Sequence, residues 1–416
     1  MSSPDMAQPV PTATAPGAAA IPSPAQSILD ADNFIDIATR SLNKQGEELC
    51  GDKIKYLKTE TQVIIVLSDG LGSGVKANIL ASLTTEILIT MLSAEIPLEE
   101  VIKTVIATLP TCQVRKIAYS TFTILRIDLT TNHFRLINFD NPAPFYFHHH
   151  QSTPLHWQTQ EILGRKIQSA EGYLERGDFL AAISDGVLYA GMGMTFNFGW
   201  GWDNIAQHLE QILVNKAHTA RTLVNAAIKH THDLYQGAIG DDASFVGVYV
   251  RKRNPLMIFT GPPLDADQDE VYVDRLLSFA GRKVICGGTT GNIVASHLGE
   301  MVEMDLATMR RELPPIGMLS CVDLVTEGIL TLSKATEYIR NSRCDLGQIA
   351  FDNNGAYFLA REILQADSIH FLVGQSINEF YQNPLLPKNI SIRRNLVETL
   401  VDVLRQGQKE VTVEYC

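Results

Sequence analysis

The stretch that most constrains this chain is Val63 to Gly74, VIIVLSDGLGSG. Its β-branched apolar run, Val63 to Leu67, reads as a buried strand. The run stops at Ser68, and Asp69 stands where strand gives way to a glycine-rich turn. Gly70, Gly72 and Gly74 allow positive φ and let the backbone approach a ligand closely. The same device recurs in FLAAISDGV, Phe179 to Val187, with Asp185 at the strand end. A third version, Gly240-Asp241-Asp242-Ala243-Ser244, precedes the strand-like FVGVYV. One Asp-Gly is ordinary turn chemistry. Carboxylates at the border of three apolar runs form a pattern, and with no His or Cys beside them they suit Mg²⁺ or Mn²⁺ better than zinc.

The 416 residues suffice for more than one domain. Lys plus Arg number 34 against 46 Asp plus Glu, a formal charge of -12, which argues against a nucleic-acid binder. The six cysteines (Cys50, Cys112, Cys286, Cys321, Cys344 and Cys416) form no CxxC pair, so they read as reduced thiols of a cytoplasmic protein. No apolar run approaches the roughly 20 residues of a membrane helix; Thr85, Glu86 and Thr90 interrupt the best candidate, Ile79 to Leu92. The Pro-, Ala-, Ser- and Thr-rich start lacks the basic and apolar parts of a signal peptide, and residues 1–27 read as a disordered tail.

From there the pattern divides. Phe34 to Leu42 is weakly patterned, and Glu47 to Lys58 ends as a strand with Asp52 after a glycine. Val75 to Ser93 has apolar residues at helical spacing, and a second helix follows Pro97. TFTILRIDLTTNHFRLINF reads as two strands around a turn at Thr130 to Asn132. Met192 to Trp202 reads as a loop; Trp202 to Leu213 and Thr219 to Tyr235 read as helices. Strands and helices come in groups, which points to α+β over residues 28–252. Arg251 to Asp269 looks like a boundary, and beyond it strand and helix alternate, predicting a second, smaller α/β domain over 255–416.

SDGLGSG, the second SDG and GDDAS, in this order, resemble the metal-dependent type 2C (PPM) Ser/Thr protein phosphatases, and within them the bacterial sporulation stage II protein E subgroup. The likeness covers about Glu47 to Val250. It implies two packed antiparallel sheets flanked by helices, an α-β-β-α sandwich with metals at one edge. It also implies that Asp69 bridges two Mn²⁺ or Mg²⁺ ions, Gly70 offers its carbonyl to one, and Asp185 and Asp241 hold the other. Asp52 matches a further acid that supports the metals, and the activated water between them hydrolyses phosphoserine or phosphothreonine. Leu71 takes the place of the eukaryotic histidine, and the eukaryotic phosphate-binding arginine has no clear counterpart.

The resemblance implies a phosphoprotein substrate in bacterial signalling, such as an anti-anti-sigma-like regulator, and allows a homodimer; neither nucleic acid nor membrane is expected as a partner. An alternative is an inactive phosphatase-like scaffold whose C-terminal domain binds an anionic ligand or nucleotide. In that domain Gly287-Gly288-Thr289-Thr290-Gly291 follows a strand and opens a helix, so its backbone NH groups are candidates for anion binding. It lacks the Lys of a P-loop and the spacing of a dinucleotide fingerprint; a nucleotide-hydrolysing centre there is a third reading. Thr326-Glu327-Gly328 is placed to line the same crevice. His148, His149 and His150 read as an exposed loop run rather than a metal site. Trp200 and Trp202 read as packing residues, and Cys286 and Cys321 as buried, inert thiols.

Overall fold

Along one strand, Val63, Ile65 and Leu67 face one apolar layer while Ile64 and Val66 face another. This alternation sets the architecture of the N-terminal compact unit, which ends at Lys252. The computed structural model describes residues 33–108, 120–214, 219–376, 392–407 and 409–416; the expected N-terminal tail and Cys112 lie outside them.

In chain order the unit opens with β1 (Asn33–Leu42), β2 (Asp52–Lys58), β3 (Gln62–Gly70), α1 (Gly74–Ser93) and α2 (Leu98–Thr108). Then come β4 (Ser120–Asp128), β5 (His133–Phe139), β6 (Phe145–His148), β7 (Gln151–Ser152), β8 (Gln158–Ile162), β9 (Arg165–Tyr173) and β10 (Phe179–Ile183). The single turn α3 (Asp185–Leu188), α4 (Trp202–Leu213), α5 (Ala220–Leu234) and β11 (Ala243–Lys252) complete it.

The strands form two antiparallel sheets, ordered β1-β11-β10-β6-β7 and β2-β3-β4-β5-β9-β8. Between the sheets lie Ile65, Leu67, Phe134, Leu136, Leu180, Val246 and Val248. Outside the six-stranded sheet, Leu88 and Leu92 of α1 and Val101 and Val105 of α2 cover Ile64, Val66 and Ile124. Outside the other, Leu209 of α4 and Leu223 and Ala227 of α5 cover Phe145, Phe179, Ile183 and Phe245. The result is an α-β-β-α sandwich of the α+β class.

Two readings change on contact with this fold. Phe34 to Leu42, weakly patterned in sequence, belongs to the ten-residue strand β1, paired along its length with β11. Its residues are mostly half-buried, so a two-faced alternation is blurred. Helix α1 has the length and composition of a membrane span, yet Ala77, Ala81, Leu88 and Leu92 are buried in packing on the sheet, which makes it a core helix.

The second unit, Arg253–Cys416, has β12 (Pro255–Thr260), α6 (Asp269–Ser278), β13 (Arg282–Cys286), α7 (Gly288–Leu298), β14 (Glu303–Asp305), β15 (Ile316–Leu319) and β16 (Val322–Thr326). It continues through α8 (Ile329–Asn341), α9 (Gly355–Gln365), β17 (Ser368–Val373), α10 (Ile392–Gln406) and β18 (Glu410–Tyr415). Its sheet runs β14-β15-β16-β13-β12-β17-β18, with β16 to β18 mutually parallel in that order. Helices α6 and α7 pack on one face through Val273, Leu276, Val294 and Ala295, and α8 to α10 on the other. The supposed boundary, Arg251 to Asp269, therefore contains the central strand β12, whose Leu256 to Phe259 are buried on both faces. Cys286 is buried, which pushes its thiol up to about 12, whereas Cys321 is exposed rather than buried, in the turn before β16.

Phe134 of β5 is 1% exposed and sits with its ring over Gly172, its cross-strand partner on β9. Phe134→Ala is expected to cost about 3–5 kcal/mol in urea unfolding, since no side chain on Gly172 can fill the void.

Candidate metal centre

Antiparallel pairing of β2 with β3 sets Asp52 directly opposite Asp69. In the other sheet β10 runs through Ser184 into Asp185, the first residue of α3, and β11 starts just after Asp241 and Asp242. These two ends are stitched together: the Ser184 NH donates to the Ser244 carbonyl at 3.0 Å, and the Ser244 NH donates to Ser184 Oγ at 2.8 Å. Ser68 does the equivalent for β3, donating to the Thr121 carbonyl at 2.8 Å, while Ser120 Oγ donates to the Asp69 carbonyl at 3.0 Å. The serine of each SDG is thus a buried tie between strand ends.

The glycine of each SDG has a different task from the one read in sequence. Gly72 and Gly74 have positive φ, but Gly70 and Gly186 do not. A Cβ on Gly70 would strike the Ala77 carbonyl of α1, and one on Gly186 would strike the Asp242 carbonyl. Gly186 therefore lets the second motif lie against the third, and the Tyr235 hydroxyl holds it there by donating to the Gly186 carbonyl at 2.7 Å. Asp242 reaches toward the other sheet: its Oδ1 accepts from the Lys44 NH at 3.0 Å, and its Oδ2 lies 2.8 Å from where Gly51 would carry a Cβ.

The fold thus gathers Asp52, Asp69, Asp185, Asp241 and Asp242 at one end of the sandwich, the other four each close enough to Asp69 to raise its proton affinity. Burial pushes Asp52 up to about 7, helped by the charges of Asp242 and Asp185 and only partly offset by the Ser184 and Ser244 hydroxyls. Burial pushes Asp69 up to about 9, and Asp52, Asp185, Asp241 and Asp242 add to it. Asp185 is raised by burial and by Asp241, against the opposing pull of the Gly186 NH and Lys44. Asp52 is 3% exposed; the Ser184 and Ser244 hydroxyls are near it without hydrogen-bond geometry, so among the described residues neither of its oxygens, nor Asp242 Oδ2, has a hydrogen-bond partner. The ion pair recorded here is Lys44 Nζ to Asp241 Oδ1 at 3.7 Å, half open to solvent. Hard oxygens short of both hydrogen and positive charge form a donor set that fits divalent cations.

Of the residues expected at the site, Asp52, Asp69, Gly70, Asp185 and Asp241 are all at this end of the sandwich. Gly287 to Gly291 belong to the other unit. Lys44, Tyr235 and Asp242 were not anticipated as members; the doubled acid of GDDAS was the one available signal, because Lys44 and Tyr235 arrive from a loop and a helix end by tertiary packing. Trp200 packs against His208 and His230, and Trp202 stacks on Phe145 at 4.7 Å, so both are packing residues. Among the described residues, the metal-type ligand atoms of His148, His149 and Glu175 come within 4.8 Å of one another, but His149 and Glu175 are exposed. His148 Nδ1 is 2.9 Å from the buried Asp178, which ties the loop down.

Residues 59–251 match the family model described as Stage II sporulation protein E, SpoIIE. Among solved structures, the chain is similar to the PP2C phosphatase domain with a regulatory-domain fragment of SpoIIE from Bacillus subtilis, at 18% identity and a TM-score of 0.46. That alignment covers 54% of this chain and 65% of the other, so the chain spans somewhat under two thirds of that relative. The RsbU and RsbW domains of a Mycobacterium tuberculosis protein align at 18% identity over 59% of this chain and 67% of theirs, with a TM-score of 0.44. The catalytic domain of the serine/threonine phosphatase PstP in complex with two manganese ions aligns at 14% identity over 53% of this chain and 100% of its own, with a TM-score of 0.36. No curated protein matches the chain.

Two outcomes are expected. Gly186→Ala should destabilise the N-terminal unit by on the order of 3 kcal/mol in denaturant unfolding, because backbone rather than a movable side chain occupies the space. In EDTA the raised carboxyls bind protons more tightly folded than unfolded, where Asp titrates near about 4. Stability should therefore fall as pH rises from about 4 through the folded values of about 7 and about 9. Thermal melts across that window should show the slope, and Asp69→Asn should flatten it.

Proposed function

We propose that the N-terminal unit is a SpoIIE-like protein serine/threonine phosphatase, hydrolysing phosphoserine or phosphothreonine with Mn²⁺ or Mg²⁺ as cofactor. The observation that carries this reading is the convergence of five acids on one sandwich edge with unpartnered buried oxygens and raised proton affinities. Asp69, the Gly70 carbonyl, Asp185 and Asp241 would hold the ions, and Asp52, deeper and fully buried, would hold charge behind them. Bound there, two divalent ions lower the pKa of a water and neutralise phosphoryl oxygens.

The residues of the chain supply placement. The β2–β3 register fixes Asp52 against Asp69, and the serine ties and the Gly186–Asp242 packing fix Asp185 beside Asp241 and Asp242. Strand ends hold carboxylates more rigidly than loops do, which suits a centre that must keep its ligands in place between turnovers. Lys44, on the rim beside Asp241, is a cation available to a phosphate in a site without the eukaryotic arginine.

By family resemblance the substrate is a phosphoprotein of bacterial cytoplasmic signalling, of the anti-anti-sigma type; the five described cysteines, all unpaired, accord with a reducing compartment. Hydrolysis of p-nitrophenyl phosphate should require Mn²⁺ or Mg²⁺ and fall to background in Asp69→Asn, while the variant keeps the native circular dichroism. Metal-independent turnover, or an Asp69→Asn enzyme as active as the native one, would sink the phosphatase reading. No turnover of this substrate or of a phosphoserine peptide at any metal concentration would favour the inactive scaffold.

A further inference from the structure

In the C-terminal unit the five parallel strands run β16-β13-β12-β17-β18. The chain starts in the middle at β12, builds outward through β13 to β16, then returns to the other side of β12 as β17 and β18. Helices lie on both faces. This is a doubly wound sheet whose direction of build reverses between β12 and β17, and such sheets take ligands at the carboxyl ends of the strands near the reversal.

Glycines stand at those ends; Arg393 fills the space beside Gly261 and the Pro262 carbonyl that beside Gly374, so the open part is at Gly287 and Gly288. Gly261 follows β12, Gly287 follows β13, Gly374 follows β17, and Gly328 stands two residues after β16. A Cβ on Gly288 would meet nothing within 4 Å. Helix α7, eleven residues long, starts here from a glycine cap with no side-chain hydrogen bond. Among the described residues the NH groups of Gly288, Thr289 and Thr290 find no acceptor. Its neighbours carry side-chain caps: Glu327 accepts from the NH groups of Ile329, Leu330 and Thr331 at the start of α8, and Asn354 from Tyr357 in α9.

A second observation is independent of the helix end. Thr290 is fully buried, and its Oγ1 has no hydrogen-bond partner among the described residues. It lies 3.4 Å from the point where Gly287 would carry a Cβ, and the Gly261 NH nitrogen lies 3.9 Å from that same point. A buried hydroxyl without a partner is costly, and this one faces the vacant cap. Thr260, ending the adjacent β12, is a second buried threonine whose Oγ1 is unpartnered. Across the reversal, the Arg393 guanidinium packs on Gly261 and donates to the Gly374 carbonyl at 3.0 Å, adding positive charge to this end of the sheet.

We propose that the cap formed by Gly287, Gly288, Thr289 and Thr290 binds the phosphate group of a small phosphorylated ligand. The α7 NH groups and the Thr290 hydroxyl donate to the phosphate oxygens, and the helix dipole favours its charge. The site lacks the lysine of a P-loop, and the proposal is of binding alone. The proposal concerns the second unit alone and stands or falls apart from the phosphatase reading.

The test uses the full-length chain, ¹⁵N-labelled, in EDTA so that divalent ions in the other unit cannot collect phosphate. On titration with inorganic phosphate, and separately with AMP, the amide signals of Gly288, Thr289 and Thr290 should shift saturably. Tighter binding of AMP would mark a nucleotide, and equal binding a site for the phosphate group alone. Thr290→Val should weaken binding roughly tenfold or more, and Thr290→Ser should restore it. Unmoved amides with both probes, or Thr290→Val binding as tightly as the native chain, would overturn the proposal. Should Thr290→Val fail to fold, the native amide shifts decide it.

Discussion

Pairing β2 with β3 in the register that sets Asp52 against Asp69 forces two carboxylates together at a buried sheet edge. Left to themselves such groups repel, and burial holds both toward the protonated form. The rest of the domain makes that arrangement tolerable. The apolar layer between the sheets holds both strand ends in place, and the second sheet brings Asp185, Asp241 and Asp242 to the same end. A site built from mutually repelling acids needs a rigid frame and a positive guest, and the sandwich supplies the first.

The frame is assembled from small residues rather than large ones. Ser68 and Ser184 tie each strand end to its neighbour, and Gly70 and Gly186 admit backbone where a side chain would collide. The SDG motif is therefore structural and chemical in one: serine stitches, aspartate faces the cluster, glycine lets the next segment close in. Its repetition on two strands of different sheets is what makes the site two-sided.

The second unit solves a related problem differently. Its parallel strands all end on the same side, and there the glycines that join β13 to α7 leave space open. Glu327 caps α8 and Asn354 caps α9 by accepting from their first-turn NH groups, while α7 has no such side chain. One unit thus gathers negative charge on strand ends, and the other keeps bare donors at a helix start.

Much of this was readable from residues alone. Period-two runs and the SDG, SDG and GDDAS stretches located most of the strands and four of the five clustered acids, because strand alternation and turn chemistry are local. The ten-residue β1 escaped because half-burial blurs its alternation, and β12 because Pro255 and the prolines after Gly261 look like linker while its buried run is short. What the amino-acid order determined by itself was which segments become strands and which acids stand at their ends. Only the tertiary structure decided that Gly70 and Gly186 serve close approach, that Asp242, Lys44 and Tyr235 join the cluster, and that the Thr290 hydroxyl is buried without a partner. Those are consequences of pairing register and of contacts between residues as much as 198 positions apart, and nothing local in the chain encodes them.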